Sequence, residues 1–196
     1  MSHPAQTKRM TGEEFEIWEQ TQDERHEFVD GLPQLKFVEW DGPRMMVGAT
    51  NGHNRIVLNV SGALAARLRD NRCQPYAADG KVRIPRGNFR YPDVAVNCGP
   101  FDRKASHLAN PVAVIEVLSK STHWLDHNLK LRDYQSVPSI QHILRLSQDE
   151  MRGALWTRGD QSAWGAEELS GPEAVAAFPA AGVQITLAEA YYNALD

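Results

Sequence analysis

Apolar positions along this chain recur with two periods, near 3.6 and near 2, and the switches between them mark the elements. In TGEEFEIWEQTQ, Thr11 and Glu14 have capping-box spacing, and Phe15, Ile17 and Trp18 make a partial apolar stripe, which predicts a short helix ending before Asp23. HEFVDGLPQLKFVEWDGPRMMVGAT reads as extended segments broken at Asp30-Gly31 and Asp41-Gly42-Pro43, a hairpin or meander. From His53 to about Arg69, Val57, Val60, Leu64 and Leu68 return at helical spacing and predict a longer helix that covers one side of a sheet. The β-branched segments GKVRIP, YPDVAVN and VAVIEVL predict three strands. A helix over DHNLKLRDYQSV is stopped by Pro138, SIQHILRL and RGALWTR predict two more strands, and VQITLAEAYYNAL predicts a strand and a short helix. The order is helix, three strands, helix, strand behind a β meander: an α/β fold with a mixed sheet.

The 196 residues, without repeats or a low-complexity linker, are expected to form one domain over 1–196. A 42% apolar and 23% charged composition is that of an ordinary soluble globular protein. The net charge of −4 gives no general reason to expect nucleic-acid binding, though a local basic patch or a bridging metal can act against the overall sign. Cys73 and Cys98 are too few for a disulfide framework and point to a reducing compartment. MSHPAQTKRM lacks an apolar signal-peptide region and no run reaches membrane-spanning length, so the expected location is cytoplasmic, with no membrane partner.

Within this pattern Glu116 is anomalous, a carboxylate inside the apolar run VAVIEVL. An unpaired ionised carboxylate in an apolar interior costs several kcal/mol, so it needs a cation, a hydrogen-bond network or a metal beside it. Asp93 begins the preceding strand and shares a face with Ala95 and Asn97, away from Val94 and Val96. Neighbouring strands lie about 4.8 Å apart, close enough for two carboxylates to hold one cation. Mg²⁺, or Mn²⁺ in its place, suits such a pair, being commonly held by one or two carboxylates plus water and phosphate oxygens.

Taken together, YPDVAVN, VIEVLS, SKSTHWLDHNLKLRDY, HEFVDG and GHNRIVLNVSGALAARL resemble the Uma-type restriction-endonuclease-like family of the PD-(D/E)xK nuclease superfamily. The resemblance spans about Phe15 to Leu146. It implies a restriction-endonuclease-like core of order α-β-β-β-α-β, with Asp93 and Glu116 as metal-holding acids. It also implies Mg²⁺-dependent hydrolysis of phosphodiester bonds in DNA. Leu118 stands where the superfamily pattern has lysine, and the Uma-type pattern transfers that lysine to Lys130 on the next helix. Glu27 and His53 are the outer candidates of the implied catalytic set. Expected partners are DNA and a second copy of the chain in a homodimer. The missing lysine also permits a catalytically inactive nucleic-acid- or protein-binding module.

Each candidate has a plainer reading. Glu116 could pair with Arg145 or Arg132. Lys130 could be half of a solvated i,i+4 pair with Asp126, Glu27 an exposed strand residue, and His53 a helix-start residue near Asn51. His123 and His127 have i,i+4 spacing, but the glutamate of the metalloprotease motif is missing, and zinc is not expected there. Trp156 and Trp164 read as core or dimer contacts rather than base-stacking platforms.

Overall fold

The computed structural model describes residues 9–36, 38–39, 46–47, 50–118 and 124–195, with the backbone alone at 38–39, 46–47 and 124–127. The turn expected at Asp41-Gly42-Pro43, and His123 with the side chains of Asp126 and His127, lie outside the described residues.

Helix α1 (Gly12–Glu19) starts at the capping box, with Thr11 Oγ1 accepting from the Glu14 amide and Glu14 accepting from the Thr11 amide. Strands β1 (His26–Val29) and β2 (Leu32–Leu35) form a hairpin in which Val29 faces Leu32. The two loop residues, Asp30 (φ 49°) and Gly31 (φ 84°), both take the positive φ of a type I′ turn, which explains the Asp-Gly pair. A short ladder of β3 (Val38–Glu39) and β4 (Met46–Val47) leads to α2 (Asn51–Arg67), capped by Thr50.

Then come β5 (Gln74–Ala77), β6 (Val82–Arg83), β7 (Phe89–Arg90), β8 (Val94–Asn97) and β9 (Pro111–Leu118). Helix α3 (Trp124–Ser136) joins β9 to a parallel β10 (His142–Ser147). The chain closes with β11 (Arg152–Arg158), β12 (Trp164–Ser170), β13 (Val175–Phe178), β14 (Val183–Thr186) and α4 (Leu187–Ala190).

The main sheet has the order β12-β11-β10-β9-β8-β5, and a smaller sheet has the order β2-β1-β7-β6. Alternation along β8 and β9 divides the core. Val94, Val96, Ala113 and Ile115 face Ile56, Val60, Leu64 and Leu68 from α2 and its C-cap. Ala95 and Val114 face the α3 side, with Tyr134, Val137 and Ile143. The small sheet packs on α1 through Phe15, stacked on Phe28 at 4.7 Å and Phe89 at 5.7 Å between ring centroids. Phe89 and Arg90 belong to the small sheet and Val94 to the main one, so Tyr91-Pro92-Asp93 is where the chain crosses between them.

The core order α2-β5-β8-β9-α3-β10 is the α-β-β-β-α-β series expected, with one reassignment. The first core strand is Gln74–Ala77, whereas Val82–Arg83 of GKVRIP pairs with β7 in the small sheet. QPYA lacks a β-branched run and carries Pro75, which an edge strand tolerates, so its sequence gives little strand signal. The reduced thiols expected for Cys73 and Cys98 are also corrected, for the two are disulfide-bonded. The pairing of Gln74 with Asn97 brings the flanking cysteines together across β5 and β8. No helix among the described residues is long and apolar enough to cross a membrane.

Gly153 on β11 is a steric requirement: a Cβ there would collide with the Arg145 carbonyl oxygen. Gly165 on β12 has open space. Gly153→Ala is therefore expected to lose about 3 kcal/mol in urea denaturation, while Gly165→Ala changes stability by no more than about 0.5 kcal/mol.

Candidate active site

Two carboxylates meet because of strand register. β8 and β9 are antiparallel with Val94 facing Ile115, and one step further sets Asp93 across from Glu116. Directly opposed residues share a face, here the one shared with Ala95 and Val114 and turned toward α3. Both side chains are buried, with Asp93 7% and Glu116 6% exposed.

Each carboxylate is anchored through one oxygen. Asp93 Oδ2 accepts from the Val117 amide at 2.8 Å and lies 3.2 Å from His53 Nε2. Its carbonyl accepts from the Ala78 amide at 2.8 Å, which extends the β5–β8 ladder and fixes the backbone at the crossing. Glu116 Oε1 accepts from the Tyr134 hydroxyl at 2.6 Å. Among the described residues no hydrogen bond occupies Asp93 Oδ1 or Glu116 Oε2.

Helical spacing on α3 puts Lys130, Asp133 and Tyr134 on one side. The Lys130 ammonium is 3.3 Å from Glu27 Oε1 and is also the strongest charge acting on Glu116. Glu27, from β1, is 4% exposed, so it is a buried residue rather than an exposed strand position. Its Oε2 accepts from Arg90 Nη1 at 2.6 Å, and Arg90 Nε donates to Asp133 Oδ2 at 2.8 Å. Arg90, 1% exposed, thereby clasps β1 to α3 and holds the two elements that present Glu27 and Lys130.

The charges do not balance evenly. Burial pushes the Glu27 carboxyl up, but Lys130 and Arg90 pull it below its ordinary value. Burial likewise raises Asp93, but the His53 bond and charge, the Lys36 charge and the Val117 amide together outweigh it, so Asp93 ends low. His53 ends raised: burial lowers it, but Asp93 and then Glu116 favour its imidazolium. For Glu116 burial dominates, Lys130 opposes it, and Asp93 and Glu27 add repulsion, so its carboxyl is pushed up to about 7. Glu116 is thus the acid with the least compensated charge. Lys36 Nζ donates to the Ala78 carbonyl at 2.8 Å and is attracted by Asp93, Glu116 and Glu27, although burial lowers its own pKa.

A divalent cation fits this donor set. The strand register sets two carboxylates opposite each other, each with an oxygen not otherwise engaged among the described residues, and one of them is poorly neutralised. Hard oxygen donors of that kind suit Mg²⁺ or Mn²⁺. Among the described residues no group of three His, Cys, Asp or Glu side chains converges, so water and a phosphate would complete the coordination.

All five sequence candidates, Asp93, Glu116, Lys130, Glu27 and His53, lie in this one network. Tyr134, Arg90, Asp133 and Lys36 belong to it as well and were not singled out by the sequence. Tyr134 had a usable signal, four residues after Lys130 on a predicted helix. Arg90 had none, since its partners Glu27 and Asp133 are brought to it only by the packing of β1 and α3 on β7. Arg145, one of the suggested ion partners of Glu116, lies with its guanidinium 5.1 Å over the Trp156 ring.

The Uma2 family model, described as "Putative restriction endonuclease", matches residues 13–188. Two uncharacterized proteins of Synechocystis sp. (strain ATCC 27184 / PCC 6803 / Kazusa) are similar in sequence. One is 31% identical over 158 residues, covering 80% of this chain and 78% of its own length. The other is 28% identical over 176 residues, covering 87% of this chain and 93% of its own length. A solved structure described as "a putative nuclease belonging to DUF820" from Anabaena variabilis ATCC 29413 has a TM-score of 0.71 at 16% identity. It covers 95% of this chain and 99% of that one, so the two share the fold.

The raised Glu116 pKa has a consequence for stability. In the unfolded chain this carboxyl loses its proton near 4.5, and in the fold near 7. Between these values the unfolded state binds fewer protons, so without divalent cation stability falls as pH rises. Glu116→Gln removes the effect. Relative to wild type it should gain on the order of 2–3 kcal/mol between about pH 5 and 7.5 in chelator-containing urea melts, and the gap should flatten above that range. A gap independent of pH would show that Glu116 is ionised throughout.

Proposed function

The chain belongs to the Uma2 family, and on that premise we propose that it is a nuclease that hydrolyses phosphodiester bonds in DNA with Mg²⁺ or Mn²⁺. The observation that carries this reading is the buried cross-strand pair Asp93 and Glu116, with the Lys130 ammonium on the same side. Asp93 Oδ1 and Glu116 Oε2 would hold the cation, which when bound would polarise the phosphate and acidify a water.

The remaining steps fall to the protein's own groups. Lys130, tethered by Glu27, offers a positive charge to the oxygens that gain negative charge at the phosphorus. Glu27 sets the position of that ammonium, and Lys130 and Arg90 together keep Glu27 ionised. His53 holds Asp93 through Nε2, while its Nδ1 is buried without a hydrogen-bond partner among the described residues. Tyr134 orients Glu116 through a short hydrogen bond, leaving the other carboxylate oxygen for the cation. The burial of these groups keeps each charge effect stronger than it would be in water.

A second reading, a non-cleaving binding protein on the same fold, is favoured by Leu118, an apolar residue at the position two beyond Glu116.

Separating the two requires supercoiled plasmid incubated with Mg²⁺ or Mn²⁺. On the nuclease reading wild type nicks or linearises it, chelator stops the reaction, and Asp93→Ala and Glu116→Ala abolish it while retaining cooperative melting. Lys130→Met keeps the apolar stem, so metal affinity should survive while turnover falls by about 100-fold or more. Cleavage that persists in chelator, or in purified Asp93→Ala, would exclude this site as its source. Wild type that binds DNA and never cuts it would favour the binding protein.

A further inference from the structure

Beyond Glu116 the same face of the main sheet continues across three more strands. Parallel pairing sets Arg145 beside Glu116, and antiparallel pairing then sets Ala154 beside Arg145 and Glu168 beside Ala154. On this row lies a cavity of about 450 Å³, lined by Leu118, Arg145, Ser147, Arg152, Trp156 and Glu168 among others. Its size is within the range of small-molecule sites.

The lining is chemically divided. Leu118 and Trp156 offer an apolar wall. The Arg145 guanidinium lies over the Trp156 ring at 5.1 Å, so a flat cation is stacked on a flat aromatic group. Arg152 stands at the rim with its side chain 62% exposed, where Glu150 lies 3.1 Å from it. Glu168, the acid in the lining, can only accept hydrogen bonds when ionised, as from an exocyclic base amine. An apolar wall with a guanidinium plane, a rim arginine and one acceptor matches a nucleotide: a base to stack, a phosphate to bind and an amino edge to recognise.

Position supports the same ligand. Arg145 is one strand removed from Glu116 and Ala154 two, about 5 and 10 Å at ordinary strand spacing. A nucleic-acid strand advances about 3.4 Å per nucleotide, so a chain with its scissile phosphate at Asp93 and Glu116 reaches the cavity within about three nucleotides. An unpaired base can lay its face against this open lining, whereas a base paired in a duplex keeps its faces stacked on its neighbours.

We propose that the Leu118–Arg145–Trp156 cavity binds an unpaired nucleotide of the DNA strand that flanks the scissile phosphate. This rests on the nuclease reading for the identity of the strand, and the test separates the two.

Fluorescence anisotropy with a labelled single-stranded DNA of about 15 nucleotides, in buffer containing chelator, reads binding without cleavage. Wild type should bind this strand at least 5-fold more tightly than a blunt duplex of the same sequence. Arg145→Gln combined with Arg152→Gln should weaken binding 10-fold or more and reduce the slope of log affinity against log salt by between about 0.7 and 1.4, as loss of one or two phosphate contacts to a single strand requires. Arg152→Gln alone alters only an exposed side chain, so it serves if the double variant folds poorly, and should weaken binding about 3-fold. Arg69→Gln with Arg72→Gln, exposed charges just beyond α2, should leave affinity unchanged. Wild-type affinity and salt slope in the Arg145/Arg152 variant would overturn the proposal, as would absence of single-strand binding, a preference for the duplex, or an equal loss in the Arg69/Arg72 control. Plasmid cleavage by the Arg145/Arg152 variant at the wild-type rate with unchanged binding would leave the nuclease and remove the nucleotide site. Loss of single-strand binding in that variant, together with a wild type that binds the strand but never cleaves plasmid, would leave the nucleotide site and remove the nuclease.

Discussion

Two carboxylates placed opposite each other on adjoining strands, both out of water, set the conditions that the surrounding groups must meet. At about 5 Å two like charges repel by about 3 kcal/mol at an effective dielectric of about 20, beyond the cost of burying each. Asp93 meets that cost with an amide and an imidazole. Glu116 has a phenol and a lysine already shared with Glu27, and its carboxyl keeps its proton to about pH 7. The imbalance is what a divalent cation would relieve. The same arrangement therefore makes the fold without a cation carry a liability that a divalent cation, if held there, would remove.

The surrounding network keeps that liability local. Arg90 is 1% exposed and bonded to Glu27 and Asp133, so it fixes β1 and α3 against the chain segment that leads into Asp93. Removing one partner of such a buried cluster commonly costs about 3–5 kcal/mol, because the remaining charges stay buried. The N-terminal helix is tied in by a second cluster, in which Lys81 lies 2.8 Å from Glu19 and Tyr91 donates to Glu19 at 2.5 Å, and the Tyr91 amide links it to Glu27 of the first. Tyr91 is next but one to Asp93, so both clusters converge on the crossing between the two sheets.

The acids were legible because strand alternation and register are local rules: Asp93 opens one β-branched run and Glu116 interrupts another. The hairpin at Asp30-Gly31 and the capping box at Thr11 and Glu14 were legible for the same reason, being specified within a few residues. Gln74–Ala77 was not, because an edge strand with Pro75 carries little hydrophobic signal. Arg90 was not, because a buried arginine is defined by partners brought from β1 and α3. The disulfide depended on the unforeseen pairing of Gln74 with Asn97, and so fell with that strand. What the sequence could not supply was long-range pairing, and the functional residues it missed are those that pairing creates.

Asp93 and Glu116 are proposed to hold a divalent cation together. The most direct test is a crystal soaked in Mn²⁺, with the anomalous signal measured near the manganese edge. One strong peak is expected within coordination distance of a carboxylate oxygen from each residue, absent from crystals of Glu116→Gln. A map in which Mn²⁺ binds elsewhere while Glu116 stays bonded only to Tyr134 would contradict it.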